Sequence, residues 1–362
     1  MLSRPRVPNI SLSVRAIAPA APVRARLQLL RQSTARANLS TSTPLRTADD
    51  RLTSHTKLPP YHPVGVARAL QASPTTSPVG PTIFAHEFSL ADRVALVSGA
   101  HRGIGLEMAL AFIEAGARAV YCVDLPKTPD ESWVKVREHA RALAGAGRSG
   151  AGAGGEGRLE YVSADVRDQD GMWKVGKTIG DREGRMDACV AAAGVLPARP
   201  EPCLTHSAEQ FQAVSVAVLD VNVRGALFTA QAAGQQMARF GRGGSVILMA
   251  SVMGHGMSKD TAFMSYSASK SAVLQLARSM ACELGPQGIR VNSISPSAIR
   301  TPMMENVLSP VPGAEKAMAE AHVLGRIGRA DELRGVVVWL ASDASSFCTG
   351  SDFFVSGGYQ GV

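Results

Sequence analysis

Apolar residues in this chain gather in short runs set between longer stretches of helical period. The first run, Val94-Ala95-Leu96-Val97, is β-rich and unbroken. After a glycine-containing turn, Leu106, Ala109, Leu110, Ile113 and Ala117 recur at the spacing of one helix face. A second run, Ala119-Val120-Tyr121-Cys122-Val123, completes a strand, turn, helix and strand of the parallel type. The alternation continues with strands expected at 159–165, 186–193, 245–251, 289–295 and 351–356. Helices are expected at 131–143, 168–183, most of 208–240, 265–284 and 333–340, and Gly285-Pro286 stops the helix before it. Residues 301–324 hold no firm period and read as mobile. Strands alternating with helices over most of the chain predict an α/β fold: one doubly wound parallel sheet with helices on both faces.

The pattern also divides the chain. Residues 46–88 are rich in Pro, Thr and Ser and read as a linker, with the folded domain, 89–362, beginning near Phe88-Ser89-Leu90. Residues 144–157 are nearly all Gly and Ala, which cannot bury a core, and are expected to form a flexible surface insertion. Charge changes the picture at one end only. The chain has 38 basic and 30 acidic side chains, and residues 1–48 hold eight arginines (Arg4, Arg6, Arg15, Arg24, Arg26, Arg31, Arg36 and Arg46) with no lysine and no acid. The remainder, with 38 − 8 = 30 basic and 30 acidic residues, is neutral. A nucleic-acid binder needs its basic face on the folded part, so that reading loses its support. An Arg-, Ser- and Ala-rich, acid-free start over 1–45 has the composition of a mitochondrial transit peptide, and the matrix is the expected location; a disordered basic tail has the same composition. No run approaches the ~18 apolar residues that span a bilayer, and no membrane partner is expected. The five cysteines are odd in number and far apart, three of them inside apolar runs, which favours buried free thiols over a disulfide framework. The histidines do not cluster, and no metal site is expected.

The chemistry begins at Ser98-Gly99-Ala100-His101-Arg102-Gly103-Ile104-Gly105. A dinucleotide pyrophosphate must lie against the first N–H groups of a helix, where the dipole favours an anion. Gly99 suits the turn out of the strand, Gly103 a close approach of backbone to phosphate, and Gly105 close packing of helix on strand. Asp124 ends the next strand, 19 residues beyond Gly105, where an acid can accept from the ribose hydroxyls. Further along, Tyr266 and Lys270 stand four apart at the start of a predicted helix, hence on one face, at the carboxyl end of the sheet. A free phenol has a pKa near ~10. A nearby cation lowers it, so that Tyr266 can act as general acid or base with Lys270 as its electrostatic partner.

Over about 89–362 the chain resembles the short-chain dehydrogenase/reductase family. The resemblance rests on the glycine motif, Asp165-Val166, Asn222-Val223-Arg224-Gly225, Ser251, Tyr266 with Lys270, Arg290-Val291-Asn292-Ser293-Ile294-Ser295-Pro296 and Val355-Ser356-Gly357-Gly358-Tyr359. It implies a Rossmann-type fold and NAD(P)-dependent interconversion of a secondary alcohol and a ketone. By resemblance Ser251 bonds the substrate oxygen, Tyr266 transfers the proton, Lys270 lowers the tyrosine pKa and binds the nicotinamide ribose, and Asn222 holds a water of the proton relay. It also implies cofactor contacts at Ile104, Asp165, Val166 and Ala193, with Asp165 at the adenine, and at Ile299 and Thr301 by the carboxamide. Without the resemblance, Ser251 could equally be a strand-end serine bonding backbone, and Asn222 a helix cap.

Four departures stand out. Ala191-Ala192-Ala193-Gly194 replaces the family's Asn-Asn-Ala-Gly, and Pro296-Ser297 replaces its Pro-Gly. Ser251 precedes Tyr266 by 15 residues, a longer gap than usual, and a self-similar run over 212–219 looks like an insertion ahead of Asn222. The loop Ser251-Val252-Met253-Gly254-His255-Gly256 is most similar to the polyol dehydrogenase and ketose reductase branch, so a polyol or ketose is the expected substrate. A mitochondrial 3-oxoacyl reductase and a non-catalytic dinucleotide-binding protein are the alternatives. Asp124 favours NAD(H) over NADP(H), while Arg102, before the second glycine, pulls the other way. A homo-oligomer, dimer or tetramer, is expected from small and apolar residues on the helices around 223–240 and 265–284 (Ala226, Ala230, Ala233, Met237; Val273, Leu276, Ala277, Met280).

Overall fold

Strand β1 (Val94–Ser98) shows why the alternating pattern folds as it does. Val94 and Leu96 point into one apolar core, Ala95 and Val97 into a second on the other side of the sheet. Strand β2 (Ala119–Asp124) repeats this, with Ala119, Tyr121 and Val123 on the first side and Val120 and Cys122 on the second. Strands buried on both faces read as continuous apolar runs, and here they lie between two helix layers. The computed structural model describes residues 82–145, 157–197, 202–256 and 262–359, all within one compact unit, Ser54–Val362. The transit-peptide expectation, most of the linker and nearly all of the Gly/Ala insertion lie outside the described residues.

The remaining strands are β3 (Arg158–Ser163), β4 (Ala188–Ala191), β5 (Gly244–Met249), β6 (Ile289–Pro296), the short pair β7 (Ile299–Arg300) and β8 (Gly328–Arg329), and β9 (Asp352–Val355). The main sheet has the order β3-β2-β1-β4-β5-β6-β9, parallel throughout. The order reverses between β1 and β4, which places a crevice at their carboxyl ends. On the second side pack α1 (Gly103–Glu114), α2 (Glu131–Gly145) and, further along the chain, the helix Arg334–Ala341; on the first side pack α3 (Gln169–Glu183) and the helices that follow it.

Residues 208–240 form one helical stretch with a change of pitch inside it. It runs as α4 (Ala208–Leu219), a π-helical turn at Asp220–Gly225 and α5 (Ala226–Phe240). The run of extra residues therefore does not break the helix; the wider i→i+5 turn accommodates it. This stretch, 33 residues, is long and apolar enough to cross a bilayer by length and composition, which the search for unbroken apolar runs missed. Its apolar face has a partner in the fold: Ala226, Phe228, Ala230, Ala233 and Met237 are buried on the sheet. The same finding corrects the basis of the oligomer expectation. Those side chains, with Val273, Ala277 and Met280 on α6 (Met264–Leu284), fill the protomer's own core, and Leu276 is partly buried against it.

Other corrections are local. Residues 301–324 are not featureless: they contain α7 (Pro302–Leu308), capped by the Thr301 hydroxyl, and α8 (Ala314–Glu320). Two short helices of about two turns each give little periodicity to read. The helix expected at 333–340 is α9 (Arg334–Ala341), and the linker's last residues, Ile83–Glu87, form a π-helical turn. Strand β4 is shorter than expected because Met186 and Asp187 precede it, and the Asp187 carboxylate accepts from the Val94 N–H at 2.8 Å. Of the cysteines, Cys122 and Cys189 are buried, while Cys282 is exposed on α6.

Charge gathers at the amino ends of β1, β2 and β4. Asp92, in a left-handed conformation (φ 60°), takes Arg118 at 2.9 Å and Arg185 at 2.5 Å. Arg185 also forks onto Asp187 at 2.7 and 2.8 Å, and Arg93 reaches Asp343 at 2.7 Å.

Candidate active site

At the opposite, carboxyl end of the sheet, β1 runs into the glycine turn. Gly99 has φ +70°, and a Cβ there would lie 2.6 Å from the Ala193 backbone nitrogen. Gly105 lets the start of α1 close on the end of β1: a Cβ would fall 2.3 Å from the Gly99 carbonyl oxygen. Gly103, φ +59°, opens α1 beneath Thr301, whose methyl would be 3.7 Å from a Cβ. Arg102 caps α1 in extended conformation with no side-chain hydrogen bond to the first turn. The leading N–H groups of a 12-residue helix are thus left for an anion, with glycine giving access. These features fit the pyrophosphate of a dinucleotide. Ile104 sits partly buried in the first turn.

Asp124 ends β2 beside this turn. Its Oδ2 accepts the His101 N–H at 2.9 Å and its Oδ1 the Leu125 N–H at 2.8 Å, fixing the carboxylate with lone pairs to spare. Arg102 is exposed and has no ion-pair partner among the described residues. Asp165 lies past the end of β3, held by a bidentate Arg167 at 2.6 to 3.0 Å that keeps its carboxyl below the usual range. Val166 is buried against Gly225, and Ala193 lies against Gly99.

The catalytic candidates converge across the crevice. Tyr266 and Lys270 occupy successive turns of α6, with Nζ 5.6 Å from the phenol ring centre. Ser251 follows β5, and its hydroxyl lies close enough to the Tyr266 phenol to act on its pKa, so the longer Ser251–Tyr266 spacing does not part them. The Oγ also accepts the Met253 N–H at 3.2 Å, so Ser251 is a strand-end cap as well. Burial raises the Tyr266 pKa and the Ser251 hydroxyl opposes that rise. The Lys270 ammonium donates to the Met249 carbonyl at 2.7 Å, and burial pulls the Lys270 pKa down to about 8. Asn222 sits in the π-helical turn. Its amide donates to the Val195 carbonyl at 3.0 Å and Ser269 Oγ at 3.0 Å, and its Oδ1 accepts the Val195 N–H at 2.8 Å. Both amide protons are used, so a water could bond only to the remaining lone pair of Oδ1. A Cβ on Gly194 would lie 3.4 Å from Asn222 Oδ1 and 3.7 Å from Lys270 Nζ, so Asn222 and Lys270 face one another across Gly194. Ile299 is buried in β7, and Thr301 begins α7 above the glycine turn.

The sequence reading missed several supporting residues. Ser98 and Thr229 are wholly buried and bonded at 3.2 Å, linking β1 to α5 beside Ala191, where the family's amides would tie the sheet. Ser269 and the Met249 carbonyl have no motif of their own; the one clue was that Ser269 lies on the helix turn between Tyr266 and Lys270. A groove of about 490 Å³ runs along β3 and α3, lined in part by Tyr121, Lys174 and Arg182. It meets the site only at Asp165 and is not where the catalytic candidates meet.

Comparison with known proteins gives the family. A family profile described as enoyl-(acyl carrier protein) reductase matches residues 99–360. The chain is 35% identical over 272 residues to a sorbose reductase of Schizosaccharomyces pombe, covering 75% of this chain and 97% of that one. A solved short-chain dehydrogenase/reductase from Mycobacterium marinum superposes with TM-score 0.63 at 35% identity, covering 75% of this chain and 97% of that chain. A gluconate 5-dehydrogenase from Burkholderia cenocepacia, solved with NADP and tartrate, superposes with TM-score 0.62 at 28% identity, covering 76% and 98%. The chain belongs to the short-chain dehydrogenase/reductase family. It is an NAD(P)-dependent oxidoreductase of CH–OH groups.

Proposed function

We propose that this enzyme interconverts a polyol and a ketose, using NAD(H) in preference to NADP(H), with Ser251, Tyr266, Lys270 and Asn222 as its working residues. The observation that carries the reading is the convergence of Ser251 Oγ on the Tyr266 phenol, next to Lys270, at the mouth of the glycine turn. The dinucleotide, when bound, supplies or takes up the hydride. Ser251 Oγ steadies charge developing on the substrate oxygen. Tyr266 gives that oxygen its proton, or removes it in the reverse direction. Lys270, as an ammonium, stabilises the phenolate that results. Asn222 braces the loop after β4 against α6 and keeps one lone pair for a relay water. Gly99, Gly103 and Gly105 with Ile104 hold the pyrophosphate, Asp124 the ribose, Asp165, Val166 and Ala193 the adenine side, and Ile299 and Thr301 the carboxamide.

The polyol assignment is supported by the loop 251–256 and by likeness to a sorbose reductase and a gluconate 5-dehydrogenase. One observation favours a second reading, a 3-oxoacyl reductase: Val195, Met303 and Val311 are exposed apolar residues after β4 and around α7. Purified enzyme assayed for NADH formation against a panel of sugar alcohols, with a 3-oxoacyl thioester and NADH in parallel, separates the two. Turnover of the thioester alone sinks the polyol reading.

The same proposal places the enzyme in the mitochondrial matrix, on the acid-free, Arg-rich composition of residues 1–48. N-terminal sequencing of the native protein is expected to begin between about Arg31 and Thr47; an intact Met1 on a cytosolic protein overturns it. It also makes the enzyme a dimer or tetramer, supported by exposed Phe211, Val216 and Leu219 on α4. A monomeric mass by light scattering at micromolar concentration refutes that.

A further inference from the structure

Residues 301–327 form an excursion that leaves and rejoins the fold at one place. Its two ends are paired as β7 and β8, Ile299 opposite Gly328 and Arg300 opposite Arg329. Between them lie α7, α8 and the turn that contains His322. The outer surface of the excursion is open: Met303 and Val311 are exposed, and Lys316 on α8 is 82% exposed. His322 is its buried exception, at 4%.

Both ring nitrogens of His322 are engaged. Nδ1 lies 2.7 Å from the Met318 carbonyl oxygen, so this nitrogen carries a proton. In the neutral ring Nε2 is then an acceptor, and Ser297 Oγ is 2.8 Å away to donate to it. Ser297 is the residue that stands where the family has glycine after Pro296. Its Oγ also lies 3.1 Å from the Ser356 carbonyl, and its N–H donates to the Val355 carbonyl at 3.3 Å. The ring of Tyr359 closes the far side of His322, centres 5.1 Å apart, and Leu324 N–H donates to the Gly357 carbonyl at 3.0 Å. The excursion is thus fastened at a second point, to the residue that follows β6, two positions ahead of β7. The end of β6 borders the site. The carbonyl of Pro296 is 3.5 Å from Ser251 Oγ, and Thr301, at the root, overlies Gly103.

We propose that the Ser297–His322 hydrogen bond is a latch that fixes residues 301–324 over the dinucleotide site, making Ser297 and His322 positioning residues for cofactor binding. The serine that departs from the family pattern beside the nicotinamide then has a stated purpose. The Ser297 hydroxyl reaches His322 Nε2, and with glycine there the histidine would be buried with an unpaired acceptor. The latch rests on the reading that a dinucleotide occupies the glycine turn, so one of its tests is made without any nucleotide.

The test compares Ser297→Ala, Ser297→Gly and Ser297→Thr in the full chain. Thr keeps the hydroxyl; Ala and Gly lose it. The first measurement is tryptic cleavage after Lys316 in the nucleotide-free enzyme, followed by mass spectrometry of the peptide that starts at Ala317. The second is the dissociation constant for NADH, with NADPH alongside, by fluorescence. Ala and Gly are expected to speed cleavage at Lys316 several-fold and to weaken NADH binding by roughly 5- to 10-fold, the loss of one buried hydrogen bond. Thr is expected to restore both toward the wild-type values. Cleavage and binding unchanged in Ser297→Ala, or changed equally in Ser297→Thr, overturn the latch. If neither nucleotide binds the wild-type enzyme, the cofactor reading fails while the cleavage comparison still decides the latch.

Discussion

Replacing Asp124 with serine tests the cofactor assignment at its most exposed point. The carboxylate is held by two backbone N–H groups, from His101 at 2.9 Å and Leu125 at 2.8 Å, so it cannot swing aside for an incoming 2′-phosphate. At ~5 Å two unit charges repel by about 0.8 kcal/mol in water and about 3 kcal/mol at an effective dielectric near 20. Asp124 is only partly buried, so the lower figure governs, and a phosphate of nearly two charges roughly doubles it. The resulting ~1.7 kcal/mol corresponds to a bias of roughly 20-fold toward NAD(H). Asp124→Ser is therefore expected to move the ratio of kcat/KM for NADP(H) over NAD(H) upward by about 20-fold. Serine can keep at most one of the two backbone bonds, so a fall of a few degrees in Tm accompanies the switch. On that background Arg102, free of ion-pair partners among the described residues, is the group that can meet the phosphate. Adding Arg102→Ala should remove most of the gained NADP(H) use. Steady-state kinetics with both nucleotides decide the matter. A wild-type preference for NADP(H), or a ratio that Asp124→Ser leaves in place, refutes the electrostatic account.

Three further outcomes follow from the site. Tyr266→Phe keeps the ring but removes the hydroxyl proton, and is expected to lower kcat by about 10²- to 10⁴-fold with little change in the NADH dissociation constant; retention of more than a tenth of kcat would show that another group transfers the proton. For Lys270 the folded pKa of about 8 lies below the unfolded 10.5, so the unfolded chain binds more protons between these values and stability from this group rises from pH 8 to pH 10.5. Lys270→Met should abolish turnover and, after losing its bond to the Met249 carbonyl, melt no lower than wild type at pH 7, an advantage that fades by pH 10; a variant that melts lower at pH 7 and equally at pH 10 contradicts the buried-ammonium reading. Gly105→Ala puts a methyl 2.3 Å from the Gly99 carbonyl, and is expected to weaken NADH binding at least ~10-fold by opening the turn, measured by fluorescence titration, with unchanged affinity as the opposing result.

How much of this was legible beforehand differs between backbone and site. The central strands were readable because they are buried on both faces and so carry an apolar signal, unbroken at Val94-Ala95-Leu96-Val97. Tyr266, Lys270 and the glycines were readable because turn geometry and helix spacing fix where such residues must stand; Ser251 was readable only through the family resemblance. Lys270's actual acceptor, the Met249 carbonyl, was not, since a backbone oxygen has no letter in the sequence. Thr229 and Ser98 are 131 residues apart, and nothing local pairs them. Residues 301–324 looked mobile because α7 and α8 are 7 residues each, too short for a period to accumulate, and because their anchor, His322 on Ser297, is a tertiary contact. The amphipathic surplus on α5 and α6 was misassigned to a partner because periodicity records that a face is covered, without recording by what.

The charged cluster at the amino end of the sheet has a consequence for how this protein can change. Asp92, strained at φ 60°, is pinned by Arg118 and Arg185, and Arg185 in turn grips Asp187, which holds the first peptide of β1. All of this lies a full strand length from Tyr266, and none of it enters the crevice. Rigidity and chemistry are therefore housed at opposite poles of one sheet. Loops at the carboxyl pole can accept new residues and so try new substrates, while the ionic clasp at the other pole keeps the strands in register. A directed-evolution library confined to the carboxyl-end loops thus starts from a scaffold whose foundations it does not touch.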